Sequence, residues 1–355
     1  MKQLLWNILK ILIFFGVGAG ILYLVYRDQD AAWQAQCAID GVPAADCSLI
    51  GKILDDFASS NFFWLFLVLV AFSISNISRS ARWLMLLRPL GYKPSMVNGF
   101  FTIMLGYFAN LGFPRIGEVI RAGTFARYEG IPTEKVFGTV VVDRIADVIT
   151  LALVLAFTFL IEFDRILALL RSFGNAGGAE SGGGWFKWLV ISMLAIGILG
   201  GLLVMIFWQQ VKTSKLYKKV LGIGIGFLDG IRTIQKLEHP GRFILHSLNI
   251  WFMYYLMTYL GFHAFAPTAE LGALPALMVF TVGALGIVIP SPGGMGTYHA
   301  LVTACLVSMY GIAKADAFSF ANILFFSIQL GCNILLGVMA LVVLPIYNRK
   351  SAEKV

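Results

Sequence analysis

Two short stretches of this sequence combine charge with chemistry. In NLGFPRIGEVIR, Asn110 to Arg121, the residues Arg115, Glu118 and Arg121 are spaced i, i+3, i+6. On a helix that spacing stacks them along one face, where they can pair with each other. In VVVDRIADV, Val140 to Val148, Asp143 and Asp147 stand at i, i+4, with Arg144 directly after Asp143. A planar guanidinium grips a phosphate through two parallel hydrogen bonds. Arg115, Arg121 and Arg144 are therefore candidate phosphate ligands, and Arg82 lies where it could assist. Glu118, Asp143 and Asp147 are candidates to carry a proton or to form salt bridges. For Glu118, Asp143 and Arg144, a latch between neighbouring segments explains the charges as well as substrate contact does.

The charges stand beside a broken backbone. Asn110, Pro114 and Gly117 interrupt one apolar run, and Pro290, Pro292, Gly293, Gly294 and Gly296 interrupt another. A helix restarting after such a break points unpaired N–H groups and partial positive charge at whatever sits there, which suits an anion. His299 follows the second break by about one turn and is the one titratable group near it. A lone histidine here reads first as a packed polar residue.

The elements that must position these groups are membrane helices. The chain has 355 residues, 59% hydrophobic and 13% charged, with a mean hydropathy of +0.82. A soluble chain carries about 25% charged residues. The apolar runs are continuous rather than alternating, which argues against a β-barrel. The net charge of +8 comes from basic residues that mark one side of a membrane, so it does not indicate a nucleic-acid partner. The four histidines and four cysteines show no metal-ligand spacing, and no cofactor motif is present: Gly222, Gly224 and Gly226 follow no strand. Cys37 and Cys47 share a loop and are a candidate disulfide in an oxidising compartment.

Along the chain, 1–26 reads as a retained N-terminal helix and 27–60 as an extracytoplasmic loop with six Asp. A span, Phe62 to Ile77, leads to Arg79, Arg82, Arg88 and Lys93, with Arg79 and Arg82 as topology markers. A broken segment, Ser95 to Tyr128, and a span, Lys135 to Glu162, complete a first unit, 61–162. The region 163–242 holds an outer glycine-rich loop, a connecting span (Trp185 to Trp208) and a basic cytoplasmic segment. A second unit, 243–346, has the same order: a span to Phe265, a broken segment from Leu274 to Gly311, and a span from Ala317. The tail 347–355 is cytoplasmic. The expected fold is an all-α polytopic membrane protein with about six full spans and two broken, re-entrant hairpins. The two units run in opposite directions, forming an inverted repeat. The stretches GIPTEKVF and GIAKADAF add a local likeness between them, although the spacing to the preceding break differs by two residues. Paired broken segments in two inverted halves point to a transport site near the membrane midplane.

At NLGFPRIGEVIRA, VVVDRIADV and PSPGGMGTYHA the chain resembles the flippase-like transmembrane domain of lysylphosphatidylglycerol synthases and its stand-alone relatives. The resemblance covers nearly the whole chain from the second span onward. Two departures stand out: the family often has Glu at the position of Asp143, and Glu near that of His299. It also implies a lipid translocator without the soluble synthase domain, since only nine residues follow Ile346.

These observations set the expectation: a non-enzymatic transporter in a bacterial cytoplasmic (inner) membrane, both termini cytoplasmic. It would move an anionic phospholipid or a polyprenyl-type lipid phosphate between leaflets by alternating access. A homo-oligomer or a lipid-modifying enzyme are candidate partners. Two alternatives stand beside it: a membrane enzyme that modifies lipid head groups, and an accessory subunit that binds lipid without moving it.

Overall fold

The computed structural model describes residues 47–112, 116–163, 165, 237–288 and 294–352, with parts of 20–43. Most of the expected N-terminal helix lies outside the described residues. So do Pro114, Arg115, Pro290, Pro292 and Gly293, the span Trp185 to Trp208, the glycine-rich loop and most of the basic segment after it.

Among the described residues the chain is helical throughout. The helices are α1 (Leu49–Ala58), α2 (Phe62–Leu87), α3 (Met96–Gly112), α4 (Gly117–Glu129), α5 (Thr133–Ile161), α6 (Pro240–Ala264), α7 (Ala273–Val288), α8 (Thr297–Tyr310), α9 (Lys314–Phe325) and α10 (Asn333–Ala352). A π-helical stretch, Phe326–Cys332, joins α9 to α10. Among the described residues three segments are long and apolar enough to cross a membrane: Phe62–Leu90, Thr133–Ile161 and Lys314–Arg349. Their outward faces carry exposed Val148, Leu153, Phe157 and Leu160 on α5, and Leu335, Val338 and Val342 on α10. Apolar faces of that extent require hydrocarbon against them. The chain is an integral membrane protein.

One boundary differs from the sequence reading. The second span does not end at Ile77 with Arg79 and Arg82 beyond it as topology markers; α2 continues to Leu87, and both arginines lie inside it, buried. No helix breaker intervenes before Pro89, and the carboxylates of α5 neutralise the two charges in place. A charge within a span is tolerated where protein, not lipid, surrounds it.

α2 packs along α6 and α3 along α10, whereas α5 touches α7 over a short stretch that includes a Thr158–Thr281 hydrogen bond of 2.9 Å. The side-chain pairs Arg82–Ser247, Ser78–Asn249 and Arg79–Tyr254 show that α2 and α6 run antiparallel. α3 and α4 form one broken hairpin, and α7 and α8 another. Both hairpins are closed by tight backbone approach. A Cβ on Gly117 would collide with the Gly106 carbonyl and the Asn110 side chain, and one on Gly286 would lie 2.8 Å from the Tyr298 Cα.

The exits from the two hairpins share their backbone geometry. α4 ends on Gly130 (φ 65°, ψ 29°), and α5 starts three residues later after Pro132 (φ −55°, ψ 131°). α8 ends on Gly311 (φ 66°, ψ 18°), and α9 starts three residues later after Ala313 (φ −55°, ψ 141°). Left-handed φ favours glycine at both positions. This is the geometry behind the local likeness of GIPTEKVF and GIAKADAF.

At one end, a polar knot ties α3, α4 and α10 together. Asn98 donates to Glu129 at 2.6 Å, and the Asn98 and Asn348 amides exchange hydrogen bonds of 3.0 and 2.8 Å. Elsewhere, α1 docks on α9: Leu49 is buried with Ala315 and Phe318, and Lys52 bridges Asp56 and Asp316 at 2.6 and 2.7 Å. A disulfide joins Cys37 to Cys47 just before α1, with Cα atoms 6.2 Å apart.

Candidate functional site

The first break is held by Asn110. Its Oδ1 accepts the Gly117 N–H at 2.8 Å, so the last turn of α3 supplies the cap for the first residue of α4. Capping by an Asn side chain satisfies one of the N–H groups that a helix start leaves open. α4 then projects Glu118 and Arg121 toward α5.

There they do not pair with each other, as their spacing suggested. Glu118 receives Arg144 at 2.9 Å, and both Nη atoms of Arg121 reach Asp143 Oδ2 at 3.4 Å. Each turns instead to a charge of opposite sign on α5. Arg115 lies outside the described residues, and α4 begins after it, at Gly117.

α2 completes the cluster. Arg82 Nε and Nη2 donate to Asp143 Oδ1 at 2.9 and 2.6 Å; Nη2 also reaches Asp147 Oδ1 at 2.7 Å, and Nη1 reaches Ser247 at 3.2 Å. Arg79 donates to Asp147 Oδ2 at 2.6 Å and to the Tyr254 hydroxyl at 3.1 Å. Arg79 is the member that sequence reasoning missed. The signal was there: Ser75, Arg79 and Arg82 repeat at i, i+4, i+7, one polar face on an apolar helix.

Trp83 positions Arg121. The guanidinium stacks on the indole, 3.8 Å from the ring centre. On the ring's other contacts, Phe125 packs at 4.5 Å and the indole N–H donates to Thr139 at 3.0 Å. One fully buried tryptophan thus fixes α2, α4 and α5 relative to each other.

The cluster has a graded exposure. Arg82 and Asp143 are inaccessible, and Arg79 and Arg121 nearly so; Asp147 is 13% exposed, Glu118 30% and Arg144 37% as side chains. The accessible end is at the first turn of α4, where Glu118 pairs with Arg144. Among the described residues four arginines stand against three carboxylates, which leaves one positive charge over. Nε of Arg79, Arg121 and Arg144 is buried with no hydrogen-bond partner among the described residues. Arg82 donates through Nε and both Nη atoms, whereas the hydrogen bonds of Arg121 to described residues are the two long ones to Asp143. The arrangement can hold an anion at Arg121 and Arg144 while Arg82–Asp143 keeps the helices together.

The second break has different chemistry. His299 is wholly buried, its Nδ1 accepts the Gly296 N–H at 3.4 Å, and its ring packs against Phe325 at 4.6 Å. It forms no ion pair with a described residue. Thr297 donates to the Gly286 carbonyl at 2.6 Å and to that of Gly294 at 3.1 Å, tying α8 to α7 across the break. Among the described residues no group of His, Cys, Asp or Glu could hold a metal ion.

A helical membrane protein with a buried arginine–carboxylate cluster beside a broken hairpin is the class defined here. The model of the lysylphosphatidylglycerol synthase TM region matches residues 7–337, and the chain belongs to that family. It is 31% identical over 101 residues to the UPF0104 membrane protein MJ1595 of Methanocaldococcus jannaschii, covering 28% of this chain and 30% of that protein. It is 25% identical over 279 residues to Glycosyltransferase AglD of Haloferax volcanii, covering 71% of this chain and 44% of that protein. The chain thus spans less than half the length of these relatives.

Proposed function

We propose that this protein moves a lipid bearing a phosphate between the two leaflets, by alternating access. The observation that carries the reading is the excess positive charge of the cluster, with Arg144 at its accessible end, Arg121 buried behind it, and the Nε donors of both unpaired among the described residues. Phosphate crossing hydrocarbon unpaired would be prohibitively costly, and charge pairing in a protein site removes most of that cost. Family membership supports a lipid-related role in the membrane.

The transport architecture in this proposal has six full spans and two re-entrant hairpins in inverted halves. Support comes from the matched exits at Gly130 and Gly311 and from the pairing of equivalent helices. α2 packs on α6, the first helices of each unit, while α3 on α10 mirrors α7 on α5. Both termini face the cytoplasm of a bacterial inner membrane in this arrangement.

The test is reconstitution into liposomes containing a phospholipid labelled on its acyl chain, with leaflet exposure read by a membrane-impermeant quencher. The full chain accelerates exchange of an anionic lipid, and Arg121→Gln with Arg144→Gln abolishes the acceleration. Absence of acceleration by the unaltered protein, with lipid bound, would make it a binding subunit. A changed head group would support the second reading, a head-group-modifying enzyme, which the name of the Haloferax relative favours.

A further inference from the structure

The seam between α2 and α6 carries polar groups that the arginine–carboxylate cluster does not use. The pairs Arg82–Ser247 and Arg79–Tyr254 fix which faces meet. On α2, Ser75 stands i−4 from Arg79 and i−7 from Arg82, so it shares their face; Asn76 lies one residue further round, i−3 from Arg79. On α6, Trp251 stands between Ser247 and Tyr254 at i+4 and i−3, on the face that meets α2. Ser75 and Asn76 are fully buried. Among the described residues, Ser75 Oγ, Asn76 Oδ1, Trp251 Nε1 and Arg79 Nε have no hydrogen-bond partner.

Buried polar atoms are nearly always paired, and each one left open destabilises the fold. Four along one seam, next to a cluster with spare positive charge, define a place where a ligand supplies the partners. The set mixes donors (Trp251 Nε1, Arg79 Nε), an acceptor (Asn76 Oδ1) and a hydroxyl that can be either. Hydroxyl groups, each both donor and acceptor, match such a set. An ammonium group would call for a carboxylate, and the carboxylates of the cluster are already held by arginines. Aromatic rings border the seam: Trp251 lies 5.8 Å from Tyr254 and 6.1 Å from Phe280.

We propose that the α2–α6 seam binds the polyhydroxyl part of the head group, a sugar or cyclic polyol attached to the phosphate that Arg121 and Arg144 hold. This rests on the phosphate-site reading and adds the substrate's chemical class to it. Ser75, Asn76 and Trp251 are the residues that select it.

The test measures equilibrium binding of two matched lipid pairs to the full chain in detergent. One pair is phosphatidic acid and phosphatidylinositol; the other is a prenyl phosphate and its hexosyl derivative. Charge alone favours the unsubstituted member of each pair, which carries more of it. The seam reverses that order, with the polyol-bearing member bound roughly tenfold tighter, as two or three net hydrogen bonds allow. Whichever pair shows the preference identifies the source of the polyol. Ser75→Ala with Trp251→Phe, which remove the hydroxyl and the indole N–H while keeping an aromatic ring at 251, reduce the preference to less than about twofold while the unsubstituted lipids bind as before. Equal or reversed preference in both pairs overturns the seam site, as does a double variant that weakens all four lipids alike. If the unsubstituted lipids fail to bind, or bind Arg144→Gln undiminished, the phosphate reading fails instead.

Discussion

Arg82 and Asp143, 61 residues apart in sequence, meet with both side chains wholly inaccessible and hydrogen bonds of 2.6 and 2.9 Å. They fasten the C-terminal part of α2 to α5. Removing one partner of a buried pair strands the other as an uncompensated charge, which costs about 3–5 kcal/mol. Arg82→Met should therefore lower the unfolding midpoint in detergent sharply, and so should Asp143→Asn. The double variant should lose less than the sum, with a coupling of about 0.5–3 kcal/mol. Strict additivity would show that the pair holds nothing together.

Arg144 gives the contrasting case. Its bond to Glu118 is part-exposed, and pairs of that kind contribute only about 0–1 kcal/mol. Arg144→Gln should leave the unfolding midpoint nearly unchanged while weakening binding of phosphate-bearing lipids. A midpoint shift as large as that of Arg82→Met would assign Arg144 to the scaffold.

Gly117 should tolerate no Cβ. Gly117→Ala drives a methyl into the Gly106 carbonyl and the Asn110 cap, and overpacking of this kind costs about 1–3 kcal/mol. Gly123, in the same helix, meets nothing within 4 Å, so Gly123→Ala should stabilise by about 0.5–1 kcal/mol through helix propensity. Thermal unfolding of the two variants, side by side, checks both signs.

Lys52 should make the docking of α1 sensitive to alkali. Burial opposes its charge, but the Asp316 and Asp56 carboxylates more than offset this and hold its pKa above the ordinary 10.5. A raised pKa in the folded state means the contribution is complete below the unfolded value and is lost as pH rises through the folded one. Protection of the α1 amides in hydrogen exchange, compared with Lys52→Met at each pH, should show this. The unaltered protein should be better protected near neutrality, and the difference should vanish well above pH 10.5.

Much of this was readable from residue order. The paired breaks around Gly117 and Gly296 coincide with helix starts, and Asp143 and Asp147 share one face because i, i+4 spacing dictates it. Arg79 was misplaced because polar residues after an apolar run look the same whether they follow a span or continue it. The choice depends on whether another helix brings carboxylates alongside. Glu118 and Arg121 were paired with each other for a related reason: local spacing ranks neighbours on one helix and cannot rank partners that arrive from elsewhere.

The sequence by itself determined that this is an integral membrane chain, where its helices break, and which residues carry charge into them. Those follow from hydropathy, from the backbone limits of proline and glycine, and from helical periodicity, all local properties. Only the tertiary structure decided which charges neutralise each other, that Arg82 is spent on the scaffold while Arg121 and Arg144 keep donors open, and that α2 and α6 share a polar seam. Pairing energies depend on distance and burial, and both are set by contacts between segments far apart in the chain.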